Sequence, residues 1–369
     1  VSVFIALRKY ASAVGFVLLI VAAVIPLSVP TAAAASFSPT RFDDPAPDGC
    51  GATDCSLREA VLAAEGSAGA DTIVVPAGIY TLTRATPSGT ADDGTTGDLD
   101  INSALTITGE NSKKTVIDAN DIDRVFDLTE NANAYIARMS VQNGSGKTSG
   151  VGVGAAHEHG GAIHNHGVVT LVDMAIIGST VPAGWGGGGF TNAPGATAVL
   201  QNVTVTANTT AAFGGGIENN ASAQMFNVTV ARNTAPADQG GGVFTGGTAT
   251  TRANNTIVAR NSGGDCRGAL TSVDHNLATD ATCGLSGQHD LVTLQTRFET
   301  RLNAAGLVYL FGLRRSSAAI DAGSGPYDAT TNIGCATRDQ RGVSRPKDGD
   351  RNGSKKCDIG SFERRRKGF

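Results

Sequence analysis

Glycine pairs or triplets recur four times along the chain, each followed by one apolar anchor: Gly160-Gly161-Ala162-Ile163, Gly187-Gly188-Gly189-Phe190, Gly214-Gly215-Gly216-Ile217 and Gly240-Gly241-Gly242-Val243. The anchors at 163, 190, 217 and 243 follow one another at steps of 27, 27 and 26 residues. A second pattern keeps step with the first: Asn202 to Asn208, Asn227 to Asn233 and Asn255 to Asn261 each enclose a short apolar/Thr/Ala run, with an earlier degenerate copy at Asp173 to Ser179. A period of this size describes supersecondary units that stack and share one continuous core.

Within each copy apolar residues alternate with Thr, Asn or Ala at period two, the signature of strands and not of helices. Gly and Asn interrupt them where a tight corner is needed, and no segment between copies is long enough for a crossover helix. The expected fold is all-β: a parallel β-helix of about 27 residues per coil, with about 4.8 Å of rise. Composition is compatible with this. Aromatic residues are only 5%, but 41% of the chain is hydrophobic, enough for a core of stacked Val, Ile, Ala and Thr. The net charge of −4 gives no electrostatic basis for binding nucleic acid.

Residues 1–35 read as an export signal. Arg8 and Lys9 precede an apolar run from about Ala11 to Val29, and Ala32 to Ala35 offer small-residue cleavage sites, near Ala34 or Ala35. A retained anchor is the alternative, because the run nearly reaches spanning length; Pro26 and Pro30 favour cleavage. The membrane is then met only through this segment, the mature charge becomes −6, and the product is secreted or held at the cell surface. All six cysteines follow the cleavage site as local pairs, Cys50 with Cys55, Cys266 with Cys283 and Cys335 with Cys357, and are expected to form disulfides that pin the solenoid ends.

Cys55 begins a short helical segment through about Ala64, with Ser56 as cap and Glu59 three residues on. The expected organisation is a cap over 36–95, the β-helix over 96–290 and a C-terminal module with a basic tail over 291–369. The hexapeptide Cys55-Ser-Leu-Arg-Glu-Ala60 resembles the CSLREA domain of exported bacterial proteins. Thr106 to Glu110, Thr115 to Asn120 and Arg124 to Phe126 resemble the first coils of right-handed β-helices in that group. Ala319 to Gly323, Asp339 to Gly342, Arg345-Pro346 and Cys357 to Glu363 resemble a choice-of-anchor Q domain. The resemblance implies a right-handed, pectate-lyase-like β-helix and export. The Gly-rich repeat starts also resemble repeats of chlamydial polymorphic outer-membrane proteins. Domains of the CSLREA and choice-of-anchor group usually precede an anchoring segment, whereas Arg364 to Phe369 is a short basic stretch that either holds an acidic envelope polymer or is a solvated end.

No cofactor is required by this reading, but two metal candidates stand out. Asp348, Asp350 and Asn352 at alternate positions before Gly353 match the first half of a calcium loop, with Asp358 as a substitute for the missing acidic residue at its end. His157 to His166 carries four of the six histidines; alternation from a core-facing Ile163 places His164 and His166 together on the outer face, where two imidazoles can share a transition metal. Asn165, Asn192 and Asn219, two places after the anchors, are expected to form a hydrogen-bonded ladder.

For catalysis the best acidic cluster is Asp118, Asp121 and Asp123 with Arg124, in a turn between early coils. For binding, Arg232 and Arg260 occupy equivalent places in successive copies and can share an anion, while Trp185 among glycines can stack on a sugar. The leading expectation is a non-catalytic binding or adhesion protein for a glycan or envelope polymer. The alternatives are a polysaccharide lyase or glycoside hydrolase acting on acidic polysaccharide, and a structural envelope component. The oligomeric state is left open.

Overall fold

Each glycine pair is explained by the way one coil sits on the next. The first glycine, at 160, 187, 214 and 240, has φ of 72°, 71°, 64° and 68°, a left-handed corner. The second lies where coils approach most closely: a Cβ on Gly188 would overlap the carbonyl oxygen of Gly215, and one on Gly215 that of Gly241. The anchor that follows then pairs with its counterpart one coil on, Ile163 with Phe190, Phe190 with Ile217 and Ile217 with Val243. The computed structural model that shows this describes residues 33–87, 93–146, 159–326, 328 and 334–365. Most of the expected signal segment, His157 and the end of the basic tail lie outside the described residues. Among them, no helix is long and apolar enough to cross a membrane.

Three parallel sheets run along a β-helix. Sheet I has nine strands, from Ser36–Phe37 and Asp71–Val75 to Thr250–Asn254 and Thr271–Asp274. Sheet II has seven short strands: Leu99–Ile101, Phe126–Leu128, Ile163–Asn165, Phe190–Asn192, Ile217–Asn219, Val243–Thr245 and Cys266–Arg267. Sheet III has nine, from Gly78–Thr81 and Thr115–Asp118 through Ala175–Ile177, Thr204–Thr206, Thr229–Ala231 and Ile257–Ala259 to Leu291–Val292. Ile73, Ile107, Ile136, Leu171, Phe190, Val205, Ile217 and Val230 fill the interior.

Two amide ladders join the coils. Asn165 Nδ2 donates to Asn192 Oδ1 at 2.8 Å and Asn192 Nδ2 to Asn219 Oδ1 at 2.9 Å, as the 27-residue spacing predicts. Asn208 donates to Asn233 at 3.0 Å and Asn233 to Asn261 at 3.1 Å on a second corner. A third set of asparagines, Asn202, Asn227 and Asn255, takes left-handed φ of 55°, 52° and 50° between sheets I and III.

The N-terminal end is closed by helix α1, Leu57–Glu65. Ser56 and Glu59 form the expected capping box. Arg58 is buried: it pairs with Asp44 at 2.8 Å and donates to the carbonyls of Gly94, Thr96, Gly97 and Asp98. The hexapeptide thus supplies a disulfide cysteine at 55, a cap at 56, a buried cation at 58 and a reciprocal cap at 59.

All three cysteine pairs form disulfides, Cys50–Cys55, Cys266–Cys283 and Cys335–Cys357. The expectation that each pins an end of the solenoid holds for the first two only. The C-terminal segment turns back along the outside of sheet III. The hairpin Phe298–Leu302/Val308–Leu313 buries Phe298, Leu310 and Phe311 against Ala175, Ile177, Ala231 and Ala259. Cys357 sits beside Asn227 in the middle of the stack, and Gln340 reaches Thr204 and Ser112. The physical reason is the apolar outer face of sheet III, which water would otherwise meet.

Candidate functional site

The central residue of each sheet II strand points outward, and these residues stack in register: Asp100, Asp127, His164, Thr191, Glu218, Phe244 and Arg267. The sequence suggests ordinary solvent-facing positions here. The structure corrects this: His164 and Thr191 are each 1% exposed and Glu218 3%. Loops between coils lie across this face, and a Cβ at Gly186 would meet the Glu218 carboxylate at 2.6 Å.

The cluster is densest beside Asp127. Arg124 Nε contacts Asp98 at 2.7 Å, and Arg124 Nη2 lies 3.5 Å from Asp127 and 4.0 Å from Asp123. Burial raises Asp98 well above the usual carboxylate range, Arg124 opposing and the neighbouring aspartates adding to it. Burial also works against the Arg124 charge, but Asp98, Asp127 and Asp123 outweigh it and hold the guanidinium protonated. Three carboxyls, Asp98, Asp123 and Asp127, thus gather around one buried guanidinium. His164 Nδ1 lies 3.6 Å from Asp127, and burial lowers the His164 pKa well below its ordinary value, so the imidazole is neutral. His166 packs edge-on at 4.1 Å between ring centroids, and Asp127, His164 and His166 together offer a donor set for a metal ion.

The cluster continues through His159, whose ring stacks 6.2 Å from that of His164 and whose Nδ1 meets Glu218 Oε2 at 2.7 Å. Thr191 Oγ1 donates to the same oxygen at 3.2 Å. Trp185, expected as an exposed indole, is half-buried and edge-on to His159 at 5.0 Å. A carboxylate that orients a part-exposed imidazole beside an aromatic ring can transfer a proton to or from a bound sugar.

Of the acidic candidates read from sequence, Asp123 and Arg124 therefore belong to this cluster. Asp118 and Asp121 do not: Asp118 accepts from Gln142 and Asn143 on sheet III, and Asp121 is exposed at a left-handed corner. Asp98, Asp127, His159 and Glu218 were missed. The signal for two of them was present, since Asp127 and Glu218 occupy the same strand position as His164.

The remaining candidates fall elsewhere. Asp348 and Asp350 join Asp321 in a second possible metal group. Asp358 is turned away, accepting from the backbone of Asp321 and Arg364, and Asn352 donates to Asp350 and accepts from Ser354, so Asp321 takes the place expected for them. The Asp348 and Asp350 oxygens already accept backbone N–H groups of Arg351, Gly353 and Asn352. Arg232 and Arg260 stand on successive corners and, with Arg297 and Arg314 of the hairpin, line a cavity of about 500 Å³.

A solved structure that matches, the crystal structure of pectate lyase Pel9A, has a TM-score of 0.42 and 13% identity over 91% of this chain and 98% of that chain. At that similarity it adds nothing about residues or chemistry. No known family model matches the sequence, and no curated protein matches it.

Proposed function

We propose that the protein is an exported enzyme that cleaves an acidic polysaccharide by elimination at the outer face of sheet II. The observation that carries this is the burial of Asp98, Asp123 and Asp127 around Arg124, beside neutral His164 and the His159–Glu218 pair. A ladder that serves only cohesion needs no charge, as Asn165, Asn192 and Asn219 demonstrate. Buried carboxylates cost several kcal/mol each unless compensated, on the order of the pair energies they make. Such groups concentrate where chemistry uses them.

A divalent cation held by Asp127, His164 and His166 would neutralise a uronate carboxyl and make the C–H beside it more acidic. His159, oriented by Glu218, then removes the proton next to that carboxyl. The C–H electron pair becomes the new C=C bond, the C–O bond to the leaving sugar breaks, and the released oxygen takes a proton from water. Trp185 offers a flank for the sugar ring. The three disulfides suit an oxidising compartment, and membership of the CSLREA and choice-of-anchor Q groups is part of the same proposal.

The test incubates the protein with acidic and neutral polysaccharides, with calcium or manganese and with chelator. Unsaturated products and reducing ends are both measured. Unsaturated ends from an acidic polymer, lost with chelator and in Glu218→Gln, are expected. Retention on a polymer without any product would overturn catalysis. That outcome would favour the second reading, non-catalytic binding, which the four-arginine cavity supports: none of Arg232, Arg260, Arg297 and Arg314 makes an ion pair among the described residues.

A further inference from the structure

At the last coils a histidine interrupts the asparagine corners. Asn202, Asn227 and Asn255 occupy the left-handed position between sheets I and III, and His275 takes it next with φ 57°. Asn and His both tolerate this left-handed conformation, so the corner itself does not choose between them. The His275 ring stacks on His289, with centroids 4.5 Å apart and planes at 18°.

Both rings face one carboxylate. Asp274 Oδ2 lies 2.7 Å from His289 Nδ1 and 3.5 Å from His275 Nδ1. Asp274 Oδ1 is occupied separately, accepting the backbone N–H of His275 at 2.9 Å and of His289 at 2.7 Å. One oxygen is thus fixed by the main chain while the other meets two imidazole nitrogens. The loop carrying His289 is held as well: Asp290 accepts from Asn276 N at 2.8 Å and from Gly287 N at 2.6 Å.

We propose that Asp274, His275 and His289 bind a divalent transition-metal ion of the zinc class, a site separate from the outer face of sheet II. Two imidazoles and a carboxylate are a donor set for such ions and not for calcium. Donor atoms around a tetrahedral ion with bonds of about 2.0–2.2 Å lie roughly 3.4 Å apart, and the two measured separations straddle that value. Among the described residues His275 Nδ1 has no hydrogen-bond partner, which leaves that nitrogen available as a ligand. His289 is 54% exposed at its side chain, leaving a route for the ion and for a solvent ligand. Bound there, the ion ties the end of the Thr271–Asp274 strand to the loop before Leu291–Val292, next to the span closed by Cys266–Cys283.

The experiment strips the full chain with a chelator, then titrates zinc by calorimetry and cobalt by visible absorption. It uses the parent, His289→Ala and His275→Asn. The parent is expected to bind one more equivalent than either variant, or to bind it about 100-fold more tightly, and its Tm is expected to rise with zinc by more than that of the variants. His275→Asn restores the residue found at the three preceding corners and keeps the fold if His289→Ala does not. Equal zinc stoichiometry, affinity and Tm response in parent and both variants would overturn the proposal, leaving His289 hydrogen-bonded to Asp274 with the His275 ring stacked on it.

Discussion

Sheets II and III are built by the same coils, yet their outer faces differ in kind. Sheet III presents Ala175, Ile177, Ala231, Ile257 and Ala259, and a returning C-terminal segment covers them with Phe298, Leu310, Phe311, Ile359 and Phe362. Sheet II presents Asp100, Asp127, His164, Thr191 and Glu218, covered by loops of the coils themselves. One face is closed by apolar burial, which is non-directional and stabilising. The other is closed over charges, which stabilise only when each finds its partner. The comparison separates the part of the surface that serves stability from the part that costs it, and the costly part is the functional candidate.

The contrast can be broken most directly at Phe311. Phe311→Ala removes a ring that packs on Phe298 at 4.9 Å and should destabilise by about 3–5 kcal/mol in chemical denaturation, with new binding of a hydrophobic dye. An unchanged midpoint would mean that the C-terminal cover contributes little. Next comes Arg124→Met, which removes the guanidinium shared by Asp98, Asp123 and Asp127. A loss of about 3 kcal/mol at neutral pH is expected, shrinking toward acid pH as Asp98, whose pKa burial raises, takes up a proton. The same loss at neutral and acid pH would show that these aspartates carry no charge burden.

The cover over sheet III has one charge problem of its own, and it sets a pH dependence. Burial pushes Glu363 up from its ordinary 4.5 to about 7, with Arg345 opposing, and raises Asp358 beside it well above its ordinary range. The folded chain therefore holds protons that the unfolded chain releases. Stability from this pair is fully present below pH 4.5 and falls as pH rises through about 7. Glu363→Gln should flatten that slope, which is worth about 1–3 kcal/mol across the window; an unaltered slope in urea titrations would rule the pair out as its source.

Smaller effects sharpen the comparison. Asn192→Ala leaves Asn165 and Asn219 each without one buried partner and should cost about 1–2 kcal/mol, well below Phe311→Ala. Arg260→Ala, on an exposed corner, should change stability by less than about 0.5 kcal/mol. Retention on an anionic polymer column should weaken in that variant if the arginine cavity binds such a polymer.

The frame of this molecule is legible in its sequence because stacking copies a local requirement from coil to coil. The anchors at 163, 190, 217 and 243 fall into register, and the Asn165 ladder and the Ser56–Glu59 cap follow from residue type and spacing. The site is less legible, because alternation tells which face a residue takes but not what lies over that face. His164 is outward, as its position predicts, and still buried. The loop from Asp118 to Arg124 shows a second limit. Left-handed corners at Asn120 and Asp121 send Asp118 to sheet III and Asp123 and Arg124 to sheet II, so neighbours in sequence part company. The fold-back of the C-terminal segment had a visible sign in Ala175-Ile-Ile177 and Ile257-Val-Ala259, apolar on both faces where alternation should have left one polar.

The amide ladders also have a direction. Every asparagine hands a proton to the coil that follows, from Asn165 to Asn219 on one corner and from Asn208 to Asn261 on the other. Each relay then needs a terminus that receives without having to give. Asp265, which accepts from Asn261 at 3.0 Å, is such a full stop, and the hydroxyl of Thr251 receives from Asn219 at 2.8 Å. A coil duplicated or deleted between these punctuation marks preserves the grammar of both relays, whereas a cut at Asp265 strands the part-buried donor of Asn261. The solenoid can thus change length by whole coils in its middle, but its last coil is not interchangeable with the others.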